Sequence, residues 1–140
     1  LEFYTTLKQR LGEDEALACV AETTARMARE AGAAFAAACP GEPGLEHFST
    51  ILDVWSAGGA LDIGDVTLED GDLSFDVLRC GYYEAYRDLG LPEELIRALS
   101  CDRDPHFAAG YDPRLVLERS GCIACGRDRC DFRFHWQDGE

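Results

Sequence analysis

Residues 61–80 alternate apolar and polar side chains about a central Asp70-Gly71, and this stretch restricts the fold more than any other. Asp-Gly between two alternating runs signals a two-residue hairpin turn, because a type I′ turn needs positive φ at both central positions. Residues 61–69 and 73–80 are therefore expected as paired antiparallel strands. In that register Val66 and Leu68 share a face with Phe75 and Leu73. Cys80 falls on the opposite parity from Phe75 and Val77, so it turns to their side only where the strand bends or ends.

Upstream the period is helical. Residues 1–11 have helical composition and stop near Gly12. From Glu13 the positions Leu17, Val20, Thr24, Met27, Ala31, Phe35 and Ala38 recur every three or four residues, the spacing of a helix that lays one stripe on a neighbour. Glu13, Asp14 and Glu15 fill its first turn, which suits the positive end of the helix dipole. Pro40-Gly41-Glu42-Pro43-Gly44 ends it. A second helix is expected over about 45–57, carrying Leu45, Phe48, Ile51, Leu52 and Trp55, and ending at Gly58-Gly59. Beyond the hairpin, helices are expected over about 82–89 and from Pro92 to about Ser100, followed by a loop over 101–113.

The last stretch, residues 119–136 (RSGCIACGRDRCDFRFHW), predicts a second hairpin. Phe132, Phe134 and Trp136 alternate with Asp131, Arg133 and His135, giving one buried and one wetter face. Leu115, Leu117 and Ile123 share a parity in the partner strand. With residues 126–129 as the loop, Cys125 lies opposite Cys130, Ile123 opposite Phe132, and Arg119 opposite Trp136. That register puts two thiols and a guanidinium on the core side of the sheet, a placement that points to a site. Helices, hairpin, helices, hairpin read as α+β: N-terminal helices packed on an antiparallel sheet made of two hairpins, with helices between them. The 140 residues suit a single domain (1–140), with a helical part over 1–58 and a site-bearing sheet part over 60–137.

Charge narrows the partners. Acidic residues number 27 against 13 basic, for a net charge of −14, with one lysine, Lys8. Such a surface repels phosphate backbones, and no basic stripe offsets it, so neither nucleic acid nor membrane is expected as a partner. No apolar run of about 18 residues spans a bilayer. Arg114, Arg119, Arg127, Arg129 and Arg133 are the local exception and suit a small carboxylate. The opening Leu-Glu-Phe-Tyr carries no leader signature, so the 7 cysteines are expected as cytoplasmic thiols whose clustering serves metal or catalysis rather than bridges. Cys19 and Cys39, on Ala-rich sequence, are expected as buried packing residues. The Ala-rich N-terminal helices could also pack between subunits of a homo-oligomer.

With these residues in view, the chain resembles the L-2-amino-thiazoline-4-carboxylic acid hydrolase family. The resemblance rests on ALDIGDVTLEDGDLSFDVLRC (60–80), on Tyr82, Glu84 and Tyr86, and on Cys101 with Asp104. It continues through the Gly110-to-Pro113 segment, Arg119, and residues 126–134 ending in CDFRF. The family is distantly similar to the 4-vinyl-reductase-type domain, a small-ligand-binding α+β module that ends in a similar cysteine-bearing strand and in some members holds zinc. Cys122 and Cys125 depart from the hydrolase pattern and create a C-x2-C-x4-C cluster.

The resemblance implies a hydrolase acting on a cyclic C–N bond, opening a thiazoline-type ring at its electrophilic carbon. Such chemistry needs a nucleophile or activated water, a proton donor and a cation for the substrate carboxylate. The catalytic candidates are Cys80, Glu84, Cys101 and Asp104. Cys80 would serve as nucleophile if Arg79 or the following helix N-terminus lowers its pKa. Glu84 and Asp104 would transfer protons. Arg119, Tyr86 and Arg79 would bind substrate. Each has a plainer reading: Cys80 as a buried apolar residue, Glu84 as a solvated helix residue, Asp104 as a turn cap before Pro105, Arg119 as a cation–π partner of Trp136. His106 and His135 read as surface or loop histidines. Cys101, Cys122, Cys125 and Cys130 form the zinc candidate, which needs a bulge near Gly121 or Gly126 to converge; its plainer reading is a cross-strand Cys125–Cys130 contact, reduced or disulfide, with Cys122 unrelated. The alternative function is a non-catalytic sensor or carrier using the same pocket for a small ligand, with or without zinc.

Overall fold

The computed structural model describes residues 1–137; residues 138–140, part of the expected 1–140 domain, lie outside the described residues. In chain order the elements are α1 (Glu2–Leu11), α2 (Glu13–Ala37), α3 (Leu45–Phe48), α4 (Ile51–Trp55), β1 (Leu61–Glu69) and β2 (Asp72–Cys80). They continue with α5 (Gly81–Asp88), α6 (Glu93–Ile96), a π-helical turn (Arg97–Cys101), α7 (Arg103–Tyr111), β3 (Leu115–Glu118) and β4 (Cys130–Trp136). A 3-10 turn, Ile123–Cys125, lies between the last two strands.

The fold is α+β, with a four-stranded antiparallel sheet in the order β1-β2-β4-β3. Leu73, Phe75 and Val77 of β2 pair with Phe134, Phe132 and Cys130 of β4 and present one apolar face. Helices cover that face: Phe48 stacks edge-on against Phe134 at 4.9 Å, and Phe107 and Tyr111 of α7 continue the aromatic layer. Such edge-to-face pairs add to simple area burial. On the outer face the nearly buried Asp76 takes hydrogen bonds from Arg129 and Arg133. Those two arginines, expected among carboxylate binders, are thus tied to the protein's own acid.

The first hairpin forms as the sequence predicts. Asp70 (φ 52°) and Gly71 (φ 79°) make the two-residue turn, and Leu68 pairs with Leu73. Val66 and Leu68 are nevertheless exposed, because β1 is an edge strand and an irregularity between Gly64 and Thr67 displaces Val66. A second irregularity decides the position of Cys80. Asp62 pairs with Arg79 and Ile63 with Val77, so Leu78 is an extra residue on β2. Leu78 and Arg79 both face solvent, and the alternation resumes with Cys80 turned inward beside Val77.

Several expectations change. The stripe on α2 is rotated: Ala16, Ala28 and Gly32 are buried, while Met27, Ala31 and Ala38 are exposed. The cause is backbone-to-backbone packing of α2 on α7. A Cβ on Gly32 would collide with the Phe107 carbonyl, and one on Gly110 with that of Arg29. The helix expected over 45–57 breaks into α3 and α4. The loop expected over 101–113 is mostly helix α7, in which Pro105 lies in the first turn, where a missing N–H costs nothing. Cys19 and Cys39 are half-buried rather than buried. Among the described residues no helix is long and apolar enough to cross a membrane.

The terminal hairpin keeps its faces but not its register. Leu115 pairs with Trp136 and Leu117 with Phe134, so the strand expected through Cys125 ends at Glu118 and the connection is longer than residues 126–129. Asp131 explains the exit. Its carboxylate accepts hydrogen bonds from the Ser120 hydroxyl and from the backbone N–H of Ser120 (3.0 Å) and Gly121 (2.9 Å), drawing the chain out of the ladder. Burial opposes ionisation of Asp131, yet these donors hold its pKa below the usual carboxylate value.

A thiol-lined candidate active site

A cavity of about 260 Å³ opens between the β2–β4 face and the segment 99–104. Cys80, Cys101, Asp104, Arg119, Tyr86 and Cys130, all singled out from sequence, line it. Trp55, read from sequence only as an apolar helix position, lines it too, as do Leu99, Ser100 and Arg103, which carried no sequence signal. The π turn explains two of these additions, Leu99 and Ser100, together with Cys101. Its wider i→i+5 spacing (the Asp102 N–H bonds the Arg97 carbonyl at 2.8 Å) lets the successive residues Leu99, Ser100 and Cys101 all reach the cavity.

Arg119 is the polar centre. Its Nη1 donates to Asp104 Oδ2 at 3.0 Å and its Nη2 to the Cys101 carbonyl at 2.9 Å, while the guanidinium lies 5.2 Å from the Phe132 ring centre. The cation–π partner expected for Arg119, Trp136, is covered instead by Arg114 at 4.7 Å, as the shifted register requires. Asp104 is the sole carboxylate lining the cavity among the described residues. Burial raises its pKa from 3.8 to about 6, against the lowering pull of Arg119. A carboxyl poised there can both give and take a proton near neutrality.

The thiols behave differently from the nucleophile expectation. Burial raises the Cys80 pKa, and the hydrogen bond from the Tyr83 N–H (3.4 Å), at the start of α5, only partly offsets it. The helix terminus acts in the expected direction and loses. Burial pushes Cys101 up to about 12, with the nearby Asp104 adding to the rise. Cys130 is raised by burial as well. All three therefore sit in the cavity as neutral thiols.

Arg79 and Glu84 are not among the cavity-lining residues. They bond each other at 2.7 Å on the surface, Arg79 also reaching the Gly59 carbonyl. Exposed Leu78 and Arg79 are the two outward residues of the bulge, so the device that turns Cys80 inward turns Arg79 outward. His106 contacts Arg29 on the surface, and His135 bridges Asp72 and Glu118.

The zinc set does not form. Cys122 and Cys125 are joined in a disulfide across the 3-10 turn, and the described residues contain no group of three or more histidine, cysteine or acidic side chains placed to hold a metal ion. A bonded pair of sulfurs has no thiolate to offer a metal ion. The bridge pairs Cys122 with Cys125, where the plainer reading of the cluster had Cys125 meeting Cys130.

No curated protein matches the chain. Among solved structures, the chain is similar to the phenol-responsive sensory domain of the transcription activator PoxR, solved with phenol. The TM-score is 0.55 at 10% identity, over 94% of this chain and 70% of that one, a likeness of fold. The profile of the L-2-amino-thiazoline-4-carboxylic acid hydrolases matches residues 1–134, and the chain belongs to that family.

Proposed function

We propose that the chain is a hydrolase that opens thiazoline-type rings bearing a carboxylate, with Asp104 as the proton-transfer residue and Arg119 as the anchor for the substrate carboxylate. One observation carries this reading. In a chain of net charge −14, the cavity is lined by two guanidiniums, Arg103 and Arg119, against one carboxylate. A low-dielectric hollow with a surplus cation favours a small anion. Its volume of about 260 Å³ suits a ligand of single-ring size.

Because the lining thiols are neutral, the attack belongs to water. Asp104 in its ionised form takes one proton as the water oxygen bonds the ring carbon, and returns it to the ring nitrogen. The ring bond to sulfur or nitrogen then breaks, and the hydroxyl proton passes to the departing atom as the carbonyl forms. Cys80 and Cys101 act as hydrogen-bond donors to the sulfur-bearing side of the ring. The test is incubation with L-2-amino-thiazoline-4-carboxylate and mass-spectrometric detection of a product heavier by one water. Turnover by the wild type and its loss in Asp104→Asn support the reading; turnover that survives Asp104→Asn sinks it.

A second reading is favoured by the aromatic lining, Trp55, Tyr82, Tyr86 and Phe132, and by the likeness to a sensory domain. In it the same cavity binds a small aromatic molecule without turnover. Quenching of Trp55 fluorescence that saturates with phenol, with no product from the thiazoline, would select it.

A further inference from the structure

The 3-10 turn between β3 and β4 is bonded to both walls of the cavity. Within it the Ile123 N–H donates to Cys130 Sγ at 3.2 Å, and Cys130 lines the cavity. Its Ala124 carbonyl accepts from Arg97 Nη1 at 3.5 Å, and Arg97 begins the π turn that supplies Leu99, Ser100 and Cys101. The Cys122–Cys125 disulfide closes this turn, helped by the Cys125 and Arg127 N–H groups, both 3.1 Å from the Cys122 carbonyl. The pair is asymmetric: Cys125 is exposed, whereas Cys122 is 4% exposed and Cys130 6%.

We propose that Cys122–Cys125 is a redox-active disulfide, opened by dithiol reductants through the exposed Cys125 sulfur, and that its state sets the order of the cavity wall at Cys130. In the first step the reductant thiolate attacks Cys125 Sγ. A mixed disulfide forms there, the Cys122–Cys125 bond breaks and Cys122 leaves as thiolate, to be protonated. The reductant's second thiolate then attacks its own sulfur in the mixed disulfide and releases Cys125. Two electrons pass to the protein, the dithiol becomes a cyclic disulfide, and the protein gains two thiols. Attack at Cys122 is blocked by its burial, since exchange needs access along the sulfur–sulfur axis. With the bridge open, the turn loses its covalent closure and the Ile123 N–H its fixed approach to Cys130. The consequence for catalysis rests on the cavity being the reaction site; the redox chemistry does not.

The test uses the wild-type chain purified without reductant. Peptide mass spectrometry after N-ethylmaleimide should find Cys122 and Cys125 unlabelled, and both labelled after dithiothreitol. A brief exposure to glutathione should leave its adduct on Cys125 and not on Cys122. Dithiothreitol should speed labelling of Cys130 by about tenfold, the scale on which one lost hydrogen bond shifts a local opening equilibrium. The double variant Cys122→Ser, Cys125→Ser should show that faster labelling without reductant. Free Cys122 and Cys125 in the untreated protein, a glutathione adduct on Cys122, or a Cys130 rate indifferent to dithiothreitol would each overturn the proposal. Should these hold while no thiazoline is turned over, the functional reading fails and the redox site stands.

Discussion

Arg79 with Glu84 and Arg119 with Asp104 are the same chemical pair in two settings. The first is open, with side chains 47% and 45% exposed; the second is enclosed, at 15% and 16%. Their bond lengths differ little, 2.7 Å and 3.0 Å. What differs is the solvent. In water the Coulomb gain of an ion pair nearly cancels against hydration and side-chain entropy, whereas inside a cavity a stranded partner cannot recover its hydration. Only the enclosed pair borders space that a ligand can fill, and burial raises the pKa of its carboxyl to about 6.

The sharpest way to break the contrast is Arg119→Met. It strands Asp104 in the cavity, and breaking a buried pair in this way costs about 3–5 kcal/mol, read by chemical denaturation above pH 7. Asp104 should then titrate higher still, since the guanidinium that holds its pKa down is gone. Next comes Asp104→Asn, which should lower turnover by about 10²–10⁴-fold, the usual worth of a positioned proton-transfer group.

The same variant exposes a pH effect of fixed sign. Asp104 has a folded pKa of about 6 against an ordinary 3.8, so the folded state holds the proton more tightly. Its stabilising contribution is complete below 3.8 and is lost as pH rises through 6. Urea melts at a series of pH values should show that decline in the wild type and not in Asp104→Asn.

Smaller effects complete the series. Cys80→Ser and Cys101→Ser should each lower turnover by only about tenfold, because a thiol donor is replaced by another hydrogen-bond donor and no nucleophile is removed. Abolished turnover in either would return the nucleophile to sulfur. Arg79→Ala and Glu84→Gln should change stability by less than about 1 kcal/mol and turnover by less than about twofold. A larger loss in Glu84→Gln would erase the distinction between the pairs.

The parts of the fold legible in the sequence were those written in local chemistry. Asp70-Gly71 dictates its own turn, and Phe132 and Phe134 declare a buried face whatever their partner. The register of the last hairpin was hidden because Ile123 continues the parity of Leu115 and Leu117, while the exit from the ladder is enforced by Asp131 from another strand. The parity of Cys80 was hidden because its bulge residue, Leu78, is an ordinary strand residue. The site was half legible. Cys80, Cys101, Asp104, Arg119 and Cys130 could be named from the family pattern, and the cavity gathers them. Trp55, Ser100 and Arg103 could not, since they reach it through a π turn and a helix crossing that depend on tertiary packing. Arg79 and Glu84 matched the pattern equally well and yet face solvent.

The most direct test of the account is the titration of the Asp104 carboxyl followed by carbon-detected NMR, with and without saturating thiazolidine-4-carboxylate, which keeps the ring and its carboxylate but lacks the C=N carbon that water attacks. The account predicts a midpoint near 6 in the free protein, moving upward when the ligand carboxylate joins Arg119. A midpoint near 3.8, or one that saturating ligand leaves unmoved, would contradict it.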